Sequence, residues 1–268
     1  MNTNRWIARL TLASLFALGT AVAGAQGISA AVSPPRVEVQ VNAGQTHRQV
    51  IEISHSGMKT GQYRVYTNDW SLAPDGGVSF TDKLVMGSCR PWVAIEKKEL
   101  LIQPRGRHRY RFEINVPAGA IVGECRFALM IEGVEPVTVD NGGIAMPVSG
   151  RMAVIVYANV GDAKPKMSVA SHGVAEVQGQ VLPVVDVRNE GNAHGRFDGA
   201  VAAVDADGNK VELLPSSLPI LPGETRRVAL APALAEGQAA VALKFPLAIK
   251  GELEAGRDKL PVDLTFRR

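Results

Sequence analysis

Along most of the chain, apolar and polar side chains alternate one by one. Val37, Val39 and Val41 are separated by Glu38 and Gln40, and Ile51 and Ile53 bracket Glu52. Tyr110, Phe112, Ile114 and Val116 alternate with Arg109, Arg111, Glu113 and Asn115. Cys125, Phe127, Leu129 and Ile131 share one parity, which points the cysteine at a core. A period of two belongs to strands with one buried and one wet face, the mark of antiparallel sheets. Turn formers interrupt the runs at Ser56-Gly57, Pro74-Asp75-Gly76-Gly77, Pro104-Arg105-Gly106, Pro117-Ala118-Gly119 and Asn141-Gly142-Gly143. The pattern predicts strands near 33–42, 47–55, 61–70, 78–85, 92–102, 108–116, 123–132 and 144–158, with no amphipathic helix between them.

The polar stretch Ala158 to Pro165, with Gly161 inside it, breaks the series. Strands are then expected near 166–172, 178–189, 197–206, 210–215, 225–232, 239–246 and 259–267. Two sets of seven or eight short strands predict an all-β protein of two immunoglobulin-like β-sandwich domains in tandem, residues 26–160 and 161–268.

Composition agrees with a folded protein: 46% hydrophobic and 21% charged residues exclude disordered and fibrous classes. The N-terminus departs from the β pattern. Arg5 and Arg9 precede an uncharged apolar run, Leu10 to Ala23, and Ala21-Val22-Ala23 and Ala23-Gly24-Ala25 both fit a small-x-small cleavage rule. The run falls short of the roughly 20 residues a membrane span needs, so residues 1–25 are expected to be a signal peptide; a retained anchor is the alternative. Export would remove Arg5 and Arg9, leaving 27 of the 29 basic residues against 26 acidic ones. So even a balance supplies no field for nucleic acid or an anionic membrane.

Two cysteines, Cys89 and Cys125, in an exported chain favour a disulfide, with a free Cys125 packed in the core as the other reading. The five histidines, His47, His55, His108, His172 and His194, have no metal-ligand spacing and read as surface and loop-end residues. Asp205-Ala206-Asp207-Gly208-Asn209 begins like a calcium loop but lacks that loop's later Gly and Glu, so a hairpin turn is expected. Asp69 and Asp75 could approach across a loop, as many acid pairs near turns do. There is no nucleophile elbow, and no enzyme class, metal or cofactor is supported.

One segment stands apart. Met146, Val148, Met152, Val154 and Val156 share a parity, and from Met152 to Tyr157 both faces of the strand are apolar. Pro147 cannot donate to a ladder, which places that end at a sheet edge. An apolar edge strand needs a cover, either from its own domain or from a guest chain added as a further strand.

Three stretches carry a family resemblance. The opening Val32-Ser33-Pro34-Pro35-Arg36-Val37-Glu38-Val39, the strand Gly150-Arg151-Met152-Ala153-Val154-Ile155-Val156-Tyr157, and the turns Asn189-Glu190-Gly191-Asn192 and Leu221-Pro222-Gly223 resemble the periplasmic chaperones of chaperone–usher pilus assembly, the PapD-like superfamily. The resemblance implies two immunoglobulin-like domains set in an L with a subunit-binding cleft between them. It also implies a periplasmic protein that caps pilin-like subunits by lending an edge strand, then hands them to an outer-membrane usher. Arg36 falls on the family's first-strand arginine, which grips the subunit's terminal carboxylate. The partner lysine's place is held by Val154, with Arg151 three positions away on the opposite parity. The subunit-binding residues so implied are Arg36, Met146, Val148, Met152, Val154 and Val156. A structural or adhesive accessory with no lent strand is the rival from another class.

Overall fold

The computed structural model describes residues 29–134, 137–141, 144–148, 150–233, 242–256 and 258–268, with the side chains of 137–141 and 144–148 left aside. The expected signal peptide lies outside the described residues. The described chain is strand after strand, with one 3-10 turn at Arg90–Trp92.

The first sandwich uses β1 (Ala30–Ser33), β2 (Arg36–Val41), β3 (Thr46–His55), β4 (Gly61–Leu72), β5 (Val78–Thr81), β6 (Val93–Ile95), β7 (Glu99–Ile102), β8 (Arg107–Asn115), β9 (Gly123–Gly133) and β12 (Arg151–Val160), with a ribbon of β10 (Val137–Asn141) and β11 (Ile144–Val148) between the last two. One sheet runs β1-β3-β8-β6; the other runs β2-β12-β9-β4-β5, with β7 also beside β4. The first strand is thus shared between layers, β1 pairing antiparallel with β3 and β2 pairing parallel with β12. Inward-facing Ile51, Ile53, Tyr110, Phe112 and Ile114 from one sheet meet Val37, Val41, Phe127, Leu129, Ile131, Val154 and Val156 from the other. Phe112 and Phe127 meet edge to face at 6.1 Å. Each such side chain contributes roughly 1.5–3 kcal/mol of burial. A Cys89–Cys125 disulfide, Cα to Cα 5.6 Å, ties the 3-10 turn to β9 inside this core.

Two expected strands divide. The run 92–102 becomes β6 in one sheet and β7 in the other, because the charged Glu96-Lys97-Lys98 carries the chain across the sandwich edge. The run 144–158 divides at Gly150 into β11 and β12.

The second sandwich has β13 (Met167–Val177), β14 (Gln180–Asn189), β15 (Val201–Val204), β16 (Lys210–Pro215), β17 (Thr225–Pro232), β18 (Leu247–Ala255) and β19 (Asp258–Phe266) in the order β13-β14-β17-β16-β15-β18-β19. Thr225 to Ala229 of β17 pair with β14 and Leu230 to Pro232 pair with β16, so this strand passes from one layer to the other. Val185, Val187, Phe197, Leu213, Val228, Leu230, Leu247, Ile249 and Phe266 fill its core. The strand expected at 239–246 is corrected: residues 234–241 lie outside the description, 242–246 are not strand, and pairing begins at Leu247. The Asp205 to Asn209 segment is the expected hairpin turn, its Asp207 and Asn209 amides both donating to Asp205 Oδ1.

Candidate functional site

The apolar outer face of β12 has a structural cause. Its inward Val154 and Val156 belong to the first core, while its outward Ala153, Ile155 and Tyr157 join a second, smaller cluster on the far side of the same sheet. Trp70, Ala128, Met130 and Tyr157 are its buried members, and Tyr66, Phe80, Ile155 and, from the second domain, Leu221 surround them. This cluster is the floor between the two domains. Trp70 meets Tyr157 edge to face at 5.6 Å.

Two clasps hold the second domain against this floor. At one, the His194 ring stacks on Tyr157 with centroids 3.8 Å apart. Its Nδ1 contacts the Glu124 carboxylate, and its backbone amide donates to Glu124 Oε2 at 2.8 Å. The Glu124 side chain is wholly buried, so its charge requires these partners. Nε2 of His194 lies 3.6 Å from Glu38 Oε1, and that oxygen is 2.7 Å from Arg36 Nε. Nearby, Glu124 N–H donates to Asn192 O at 2.7 Å. At the other clasp, the buried Arg226 donates to the carbonyls of Ala73 and Pro74 at 3.1 and 3.2 Å and pairs with Glu224.

The charges respond to this crowding. Burial of the imidazole opposes its positive form, but the hydrogen bonds and charges of Glu124 and Glu38 outweigh burial and hold His194 above its ordinary value. The hydrogen bond from His194 and its charge hold Glu38 below the usual carboxylate range. Burial pushes Tyr157 up to about 12. Burial and then the neighbouring charge of Arg36 lower Arg196, whose Nε is buried without a hydrogen-bond partner. Arg36 and Arg196 are therefore two guanidiniums from two domains at one end of the floor.

The sequence-derived site residues fall in three places. Arg36 stands on β2, half-exposed and paired to Glu38. Val154 and Val156 are fully buried in the first core and Met152 packs at its margin, so the two valines offer no side chain to a guest. Met146 and Val148 lie on β11, which pairs with β10 in a ribbon outside both main sheets.

The edge matters more than the side chains. β2 covers β12 from Ile155 onward, where Ile155 N–H donates to Pro35 O at 3.1 Å. Strand alternation turns the backbone groups of Ala153 and Arg151 to that same side, and among the described residues no strand pairs with them there. β11 precedes this stretch in the chain and pairs with β10.

Sequence reasoning missed several residues. His55 and His194 stand at a strand end and in a loop, as the loop-end reading has it, but are buried and not surface groups; His55 bonds the Tyr63 hydroxyl at 2.6 Å and His194 forms the clasp. Asp69 and Asp75 do not meet: Asp69 is buried and held by Arg90 at 3.3 Å, and Asp75 bonds within its own turn. Asn189 is fully buried and saturated, donating to Ala193 and Ile220 carbonyls and accepting from Lys166 and Gly191 amides. It braces the loop that carries His194. Gly191 is required there, since a Cβ would lie 2.5 Å from Lys166 N. The one hint in the sequence was the Asn-Glu-Gly-Asn turn. Among the described residues no cluster of His, Cys, Asp and Glu could hold a metal, and no helix is long and apolar enough to cross a membrane.

No protein-family model matches the chain, and no curated protein does either. Among solved structures, the chain is similar to the YadV chaperone at 10% identity and a TM-score of 0.49, covering 89% of this chain and 100% of that one. The CupB2 chaperone of Pseudomonas aeruginosa gives 12% identity and a TM-score of 0.46, over 88% of this chain and 100% of that one. The Salmonella enterica SafA pilin in complex with the SafB chaperone gives 9% and 0.44, over 91% and 98%.

Proposed function

We propose that the protein is a periplasmic chaperone that caps pilin-like subunits by lending them an edge strand, before an outer-membrane usher takes them over. The observation that carries the reading is the edge at the first residues of β12. Among the described residues no strand pairs with the outward backbone groups of Arg151 and Ala153, beside the half-buried Ala153 and Ile155 of the interdomain floor. Exposed β edges are ordinarily blocked, and a guest strand is the partner that such an edge accepts.

A guest aligned on this edge would run toward Arg36 and Arg196. Two neighbouring guanidiniums suit a terminal carboxylate, and Arg196 would supply the second cation where the resembling family has a lysine and this chain has Val154. Met146 and Val148 would set the register. Capture needs no nucleotide, because the guest's own completed fold supplies the driving force for release.

The test is co-expression with a small pilin-like candidate subunit and recovery of the complex. Wild type should retain the subunit, and Met146→Asp combined with Val148→Asp should lose it while keeping the wild-type melting temperature. A complex that survives the double substitution sinks the lent-strand mechanism.

A further inference from the structure

At the β4–β5 end of the same sheet face lies a cavity of about 580 Å³, and of its lining residues the capping role uses Arg151 alone. Asn68 lines it, is only 5% exposed, and has a side-chain oxygen without a hydrogen-bond partner. A buried polar atom left unmet is a standing cost to a fold, and it marks a place where a partner is missing.

The surrounding groups say what that partner is. Arg64, Arg90 and Arg151 face the cavity together with Asp82 and Glu132. Arg90 is already committed, to the Asp69 carboxylate at 3.3 Å and the Asp82 carbonyl at 2.9 Å. Two arginines then stand against two carboxylates. So even a balance does not select a phosphate or a carboxylate, yet it interleaves strong donors with strong acceptors. Half-buried Tyr66 and Phe80 add apolar ring surface. β9 fills one edge of β4, and β5 and β7 take the two ends of the other with Arg90 bonding Thr67 between them, so little edge is left for a polypeptide strand. A neutral ligand dense in hydroxyls meets every requirement, because each hydroxyl both donates and accepts and satisfies Asn68 whichever way its amide is turned. The volume falls within the roughly 300–1,000 Å³ of small-ligand sites.

We propose that this cavity binds a neutral saccharide, with Asn68 at its base and Arg64, Arg151, Asp82 and Glu132 reading hydroxyls at its rim. Arg151 belongs both to this site and to the edge proposed for a guest strand, whereas Asn68, Arg64 and Asp82 lie off that edge.

The test titrates the leaderless chain with glucose, galactose, mannose, maltose and lactose, following the Asn68 side-chain amide by ¹H–¹⁵N spectra and each sugar by saturation transfer. At least one sugar should bind saturably and move that amide. Asn68→Leu should weaken binding about tenfold, the worth of one hydrogen bond, while leaving the melting temperature unchanged or raised. Arg64→Ala, at an exposed position, should weaken binding without touching the fold. Failure of all five sugars to move the amide overturns the proposal. So does binding of galacturonate or an acidic peptide in preference to the neutral sugars, or an Asn68→Leu protein that melts earlier and binds as before.

Discussion

Strands β11 and β12 form one arm of a single hairpin, yet their surroundings differ completely. From Ile155 to Val160 the arm has β9 on one side, β2 on the other, the sandwich core below and Tyr157 with His194 above. From Ile144 to Val148 the backbone pairs, among the described residues, with β10 alone. Apart from Gly150, the same-parity row Met146, Val148, Met152, Val154 and Val156 is apolar in both halves, so composition does not separate them. What separates them is where β2 begins. Hydrophobic side chains at the far end stabilise the fold, and the near end keeps backbone groups with which no described strand pairs.

The largest break in this contrast is an ionised group in the closed half. Val156→Asp places an unpaired carboxylate at a position with no exposure and should cost at least about 4 kcal/mol, seen as loss of the first domain's urea transition. If Val156→Asp were as mild as Met146→Asp, the two halves would not differ. Next in size is reduction of Cys89–Cys125, which sits on β9 opposite Ala158. Removing a link across 36 residues should destabilise the first domain by about 4 kcal/mol in chain-entropy terms. Calorimetry should show the second domain's transition unmoved.

A smaller effect is expected from pH. The pKa of His194 is raised by folding, so its contribution is complete below the unfolded value of about 6.5 and fades as pH climbs through the higher folded value. Domain docking, followed by small-angle scattering, should loosen as pH rises through that raised value, and His194→Gln should remove the pH dependence. A profile unchanged by that substitution would show that His194 is not the titrating group. The subtlest test leaves stability alone: amides of Arg151 and Ala153 should exchange quickly with deuterium while Met152 and Val154, which face β9, exchange slowly. Uniform protection across 151–154 would mean the edge is closed.

Most of the strands were legible because a period of two needs only neighbouring residues to be read. β18 escaped although Leu247, Ile249 and Leu253 alternate with Ala248, Lys250, Glu252 and Glu254, since its charges and Gly251 resemble a loop. The two-faced burial of β12 was visible as an apolar run, but a core, a cleft and a guest all call for the same side chains. Nothing near His194 announces Glu124, which lies 70 positions away and meets it only when the domains dock.

The amino-acid order alone determined the all-β class, the two sets of strands, the turns and the inward parity of Cys125, because these follow from local alternation and backbone preference. The tertiary structure decided which apolar face became core, which edge stayed open, and which distant charges met at the clasp. Those outcomes depend on pairing and desolvation between residues far apart in the chain, and local pattern carries no record of them.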